Sequence, residues 1–189
     1  MEAVRARLAS GNTHKLDELR AALPDWELEL LETSEPFPDE EGESYYENAQ
    51  AKAEFGRRVG QRAGEADMWT VGEDSGIEVA ALGGRPGIAS ARWAEDGVAR
   101  LLEQLSGVGN RRARYVCELV ALSPAGEERR ATGVLEGAIA TERRGEEGFG
   151  YDPVFVPDGE QRTVAELGDA WKRKHSHRAR AAAFLRDPS

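Results

Sequence analysis

The first thirty residues constrain the fold more than any other stretch. Val4, Ala6 and Leu8 alternate with Arg5 and Arg7, the period-two pattern of a half-buried strand. Ser10-Gly11-Asn12-Thr13 interrupts it. Leu16, Leu19 and Leu23 then recur at helical spacing as far as Pro24. Trp26, Leu28 and Leu30 alternate with Glu27 and Glu29, which predicts a second strand. Strand, loop, helix and strand in so short a span predict an α/β domain. After an acidic loop from Glu32 to Glu43, the run Ser44-Tyr45-Tyr46-Glu47 fits a capping box and opens a helix expected to reach about Arg62. Strands are expected at 68–71 and 77–82, with a glycine-bounded break between them. A helix follows over 94–105, then strands at 113–122 and 129–140 joined at Ser123-Pro124-Ala125-Gly126. A short strand at 154–156 and helices near 164–167 and 176–185 complete the chain. The hairpin makes the sheet mixed. No repeat or linker divides the sequence, so residues 1–189 read as one domain.

Composition narrows the function classes. With 189 residues, 40% of them hydrophobic, the chain has enough material for a substantial core. Its net charge of −10 repels a nucleic-acid backbone and argues against a general DNA or RNA binder. A single nucleotide is not excluded, because a few lysines and a cation reverse the field locally. No apolar run approaches the length of a membrane span, and the first five residues lack the apolar core of a signal peptide. Cys117 is the only cysteine, so no intrachain disulfide forms, which fits a cytoplasmic protein.

Four stretches carry chemistry. Gly72-Glu73-Asp74-Ser75-Gly76 places adjacent carboxylates between two strand-like runs, a donor type that suits a hard cation such as Mg²⁺; solvated loop charges are the plainer reading. Ser10-Gly11-Asn12-Thr13-His14-Lys15 leads a strand into a helix N-terminus, where N–H groups and a lysine favour an anion. It lacks the glycine spacing of a P-loop, and an ordinary polar cap reads equally well. Gly148-Phe149-Gly150-Tyr151-Asp152 offers backbone access and a stacking ring, or a tight turn with two core aromatics. Trp171 to Arg178 is the most basic segment of an acidic chain. It reads as a solvated loop before a helix capped by Ser176, except that His177 and Arg178 oppose the helix dipole there. Zinc spacing and a serine-triad context are both missing.

Taken in order, these runs resemble the inosine triphosphate pyrophosphatase family. The resemblance rests on Ser10-Gly11-Asn12 with Lys15, Asp39-Glu40-Glu41-Gly42, Glu47-Asn48-Ala49 with Lys52-Ala53, and Glu73-Asp74-Ser75-Gly76. It continues through Leu82 to Gly87, Ser90-Ala91-Arg92, Phe149 to Pro153, and Lys172 with Ser176-His177-Arg178. It covers nearly the whole chain. Asp39 stands at the family's metal-site position with Glu40 beside it, the stretch after Arg92 is shorter than usual, and Lys174 rivals Lys172.

The resemblance implies a long mixed sheet flanked by helices, two lobes with a central cleft, and a homodimer. It implies Mg²⁺-dependent hydrolysis of ITP, dITP and XTP to the monophosphate and pyrophosphate. On that footing the metal set is Glu73, Asp74 and either Asp39 or Glu40, and Asp74 activates water. Lys15, Lys52 and the Ser10-Gly11-Asn12 backbone hold the triphosphate tail, and Thr13, His14 and Ser75 also belong to the substrate site. Phe149 stacks on the base within the Gly150-Tyr151-Asp152 turn, and Lys172, His177 and Arg178 read its 6-keto edge. Two alternatives are a pyrophosphatase for pyrimidine or modified nucleotides, as in Maf-like proteins, and a non-catalytic nucleotide-binding protein.

Overall fold

The computed structural model describes residues 3–186. In chain order the elements are β1 (Val4–Leu8), α1 (Thr13–Ala22), β2 (Trp26–Leu30), α2 (Tyr45–Arg62), β3 (Trp69–Val79), β4 (Pro86–Gly87) and α3 (Gly97–Gln104). Then come β5 (Arg112–Leu122), β6 (Glu128–Ile139), β7 (Phe155–Pro157), α4 (Val164–Leu167), α5 (Asp169–His175) and α6 (His177–Arg186). The strands form one mixed seven-stranded sheet in the order β2-β1-β3-β5-β6-β7, with β4 paired to β3. β1 runs parallel to both β2 and β3, and α1 supplies the crossover that the parallel β1–β2 pair needs. β4 is antiparallel to β3, and β7 to β6. Among the described residues no helix is long and apolar enough to cross a membrane.

The chain forms two compact units, and β3, β5 and β6 each contribute a segment to both. The first holds the described residues of 1–74, 117–133 and 178–189. Leu8, Val71, Cys117 and Leu119 meet Leu16 and Leu19 of α1 and Ala181 and Leu185 of α6 in one core. On the other face of the strands, Ala49 and Ala53 of α2 pack with Val120 and Leu122. That packing is close. A Cβ on Gly72 would overlap the Ala49 carbonyl oxygen and stand 2.7 Å from the Ala53 nitrogen. The second unit, 75–116 and 134–177, has its own core of Ile77, Val79, Leu101, Leu135 and Phe155, among others.

Three expectations change. The 68–71 and 77–82 runs are one strand, β3, of 11 residues, and the acidic pair lies inside it rather than at a strand end. Neither Gly72 nor Gly76 has a positive φ, so the glycines that suggested a break are extended backbone. Residues 80–82 turn away as a 3₁₀ helix. The basic run after Gly168 is not a loop but α5, entered through Gly168 at φ 83. β6 is continuous over 12 residues despite its glycines; a Cβ at Gly137 would stand 2.7 Å from the Phe155 ring, and β7 pairs there.

Candidate active site

Strand alternation decides the fate of the acidic pair. Successive side chains on β3 point to opposite faces of the sheet. Glu73 therefore faces α1 and α6, and Asp74 faces α2.

Glu73 is buried, with Lys15 Nζ 2.5 Å from its Oε2 and Arg178 Nε donating to its Oε1 at 3.0 Å. Arg178 also pairs with the buried Glu18 of α1 at 3.5 Å. Two cations thus meet two anions, and the group is formally neutral. Burial pushes the Glu73 carboxyl up, but the charges of Lys15 and Arg178 outweigh it and hold the group well below the usual carboxylate range. The Cys117 thiol lies 3.7 Å from Glu73 Oε1. Burial, with Glu73 beside it, pushes that thiol well up, so Cys117 is a core residue and not a nucleophile.

Asp74 is buried on the other face. Its Oδ1 accepts from Lys52 Nζ at 2.9 Å and its Oδ2 from Asn48 Nδ2 at 3.1 Å. The same Lys52 ammonium donates to Glu40 Oε1 at 2.5 Å and to the Glu73 carbonyl at 3.2 Å. Helix α2 supplies both Asn48 and Lys52, four residues apart on one face. Asn48 Oδ1 also accepts from the Gly42 amide at 2.9 Å, which anchors the acidic loop beside Asp74. Burial pushes the Asp74 carboxyl up to about 6; Lys52 opposes the shift and Glu40 adds to it. Glu40 ends below its ordinary value, because Lys52 outweighs its partial burial. Lys52 is held above its ordinary value, its neighbouring carboxylates outweighing burial.

The metal set expected from the sequence is not gathered in one place. Glu73 is turned away by the strand pleat, and Asp39 is exposed while Glu40 reaches Lys52. Among the described residues, no group of three or more His, Cys, Asp or Glu side chains is arranged to hold a metal ion. Two carboxylates, Glu40 and Asp74, do converge on one cationic point.

At the start of α1, Ser10 Oγ accepts from the Asn12 amide and Asn12 Oδ1 caps the helix by accepting from the Lys15 amide at 3.2 Å. Gly11, Thr13 and His14 are exposed, and the first turn carries no acidic residue to offset the positive helix end.

In the second unit, Asp152 is a hub. Its Oδ2 accepts from Lys172 Nζ at 2.7 Å and from the Phe149 amide at 2.8 Å, and its Oδ1 from the Tyr115 hydroxyl at 3.1 Å. The Lys172 ammonium lies 3.9 Å from the centre of the half-buried Phe149 ring. Lys172 is buried and Lys174 exposed. Gly150 is exposed at φ 61, and Ser75 is half-buried in β3. Tyr151 is no stacking face. It is buried, its hydroxyl donates to the Ser90 carbonyl at 3.1 Å, and burial pushes its pKa up to about 12. His177 is buried, its ring stacked on Tyr115. Arg178 stands not on an open base edge but between Glu73 and Glu18.

Sequence reasoning passed over Glu18 and Tyr115, and gave Asn48, quoted within a motif, no role. Glu18 carried a signal, since a carboxylate three residues after Lys15 lies on the same helix face as that lysine. Tyr115 carried none, because it reads as one more apolar residue in a strand.

Comparison with known proteins agrees along almost the full length. Residues 6–187 match the Ham1 family. A protein of Bdellovibrio bacteriovorus named dITP/XTP pyrophosphatase is 39% identical, covering 94% of both chains. One of the same name from Deinococcus deserti is 42% identical over 94% of this chain and 86% of its own. The solved structure of the Staphylococcus aureus Ham1 protein superposes with a TM-score of 0.80 at 33% identity, covering 98% of this chain and all of that one.

Proposed function

The chain belongs to the Ham1 family, and we propose that it hydrolyses the nonstandard purine nucleoside triphosphates dITP, ITP and XTP to the monophosphate and pyrophosphate. The observation that carries this reading is the cluster of buried Asn48, Lys52 and Asp74 with half-buried Glu40. Asp74 is a carboxylate with its pKa raised toward neutrality and its direction fixed by two donors, the properties a general base needs.

A divalent cation fits this cluster. Glu40 and Asp74 are hard oxygen donors already converging on a positive charge, and Mg²⁺ is commonly held by one or two carboxylates with water and phosphate oxygens. Held by Glu40 and Asp74, such a cation would supply neutralisation of the charge that develops on the phosphates. The remaining work falls to the chain. Lys52 and the Ser10–Lys15 turn hold the triphosphate tail. Asp74 orients a water for in-line attack on the α-phosphorus and accepts its proton. The electron pair of the breaking P–O bond leaves with pyrophosphate. Phe149 stacks on the base, and Lys172 and His177 donate to its 6-keto oxygen. A 6-amino group would meet those donors with another donor, leaving buried polar groups unpaired, which discriminates against ATP. We take a homodimer as the working assembly, to be tested by light scattering.

The deciding experiment is turnover of ITP with Mg²⁺ in ¹⁸O-labelled water. IMP and pyrophosphate should form in equal amounts, with the label in IMP. Label in pyrophosphate, or IDP with orthophosphate, would move the attack to another phosphorus and overturn the proposal.

A further inference from the structure

We propose that Tyr115 is a positioning residue for base recognition, setting the posture of Lys172 and His177 together; the inference rests on the base-reading role proposed above. Tyr115 comes from β5 and is buried. One face of its ring stacks on the His177 imidazole, with centroids 4.6 Å apart and planes 8° from parallel. Phe155 meets it at 4.5 Å and 47°. The ring is held in place and presents a flat platform that fixes the plane of the imidazole. At its other end, the hydroxyl donates to Asp152 Oδ1.

The second Asp152 oxygen is the one that receives Lys172 Nζ and the Phe149 amide. A carboxylate pinned at both oxygens cannot rotate, so the direction of Lys172 depends on what Tyr115 does at the far oxygen. Tyr115 thereby joins three separate stretches of chain: the 149–152 turn, α5 and the first residue of α6. Charge is not at issue. Asp152 keeps two donors without the hydroxyl, so its pairing with Lys172 survives and only orientation is lost.

This predicts a selective defect. If Lys172 and His177 donate to a 6-keto oxygen, their misalignment weakens keto bases and leaves amino bases unaffected. Tyr115→Phe removes the hydroxyl and keeps the platform; Tyr115→Leu removes both. Steady-state kinetics with ITP and with ATP, beside thermal melts, separate the outcomes. Tyr115→Phe should raise KM for ITP on the order of tenfold, the worth of one hydrogen bond to a charged group, with kcat within about twofold. The ITP/ATP ratio of kcat/KM should fall by the same factor. Tyr115→Leu should lower that ratio further.

Unchanged ITP kinetics in Tyr115→Phe, or an equal loss for ITP and ATP that tracks a lowered melting temperature, would overturn the inference. Should Tyr115→Leu fail to fold, Tyr115→Phe alone decides. Lys172→Ala is the control on the underlying reading. Selectivity lost in Lys172→Ala but kept in Tyr115→Phe sinks only the role of Tyr115. Selectivity kept in Lys172→Ala sinks the base-reading assignment itself.

Discussion

Burial pushes both carboxyls of the 73–74 pair up, yet only Asp74 ends above its ordinary value. Glu73 has two cations of its own, whereas Asp74 shares Lys52 with Glu40. One consequence is catalytic. Asp74→Asn removes the base with little change in volume, so turnover should fall by roughly 10²- to 10⁴-fold while the fold persists; activity within a few-fold of wild type would dismiss Asp74 from the chemistry. A second consequence concerns pH. Because the folded pKa of Asp74, about 6, lies above the ordinary 3.8, its contribution to stability is present in full below 3.8 and is lost as pH rises through 6. Metal-free protein should therefore melt higher near pH 5 than its Asp74→Asn variant would lead one to expect, the difference vanishing above pH 7. A carboxyl titration by NMR with its midpoint near 4 would contradict this. At this scale the sequence singled out Lys15, Lys52, Asp74 and Lys172, each of which the structure holds in an ion pair. It did not disclose their partners: Glu18, three residues from Lys15, pairs with Arg178 far along the chain, and Tyr115 meets Asp152 and His177 only in the fold.

Helix α2 shows how an element becomes an instrument. Ser44 Oγ caps it by accepting from the Glu47 amide at 3.2 Å, while Glu47 Oε2 accepts from Glu43 rather than from Ser44, so only half of the expected capping box closes. Ser44→Ala should cost about 1 kcal/mol. Gly72→Ala should cost more, about 1–3 kcal/mol, since it presses a methyl group into the α2 backbone that carries Asn48 and Lys52. It should depress activity as well as the urea midpoint. Equal stability of Gly72→Ala and wild type would show that α2 yields freely. Elements with a strong period, β1, α1, β2 and α2, were legible from sequence. β3 was read as two pieces because glycine is usually a mark of turning, and at Gly72 it serves close approach instead. α5 was missed because its seven residues, Asp169–His175, are too few and too basic to display an apolar face.

For the whole molecule, ligand and fold are one equilibrium. A nonhydrolysable ITP analogue with Mg²⁺, at a hundred times its Kd, should stabilise the protein by about 2.7 kcal/mol. For a chain of this size that is a rise in melting temperature of roughly 5–10 °C. The ATP counterpart at the same concentration should give much less, and an equal rise with both would argue against base selection. The first unit draws on three separate stretches of chain, and the last of these begins at Arg178. That stretch brings Ala181, Ala182 and Leu185 to the core and the guanidinium that balances Glu73. During synthesis on the ribosome, every residue of the second unit has been made before this stretch begins. Until it emerges, Glu73 lacks one of its two counter-charges and the core around Leu16 and Leu19 lacks a wall. A nascent chain stopped short of Arg178 therefore has an open core and a buried carboxylate short of a counter-charge.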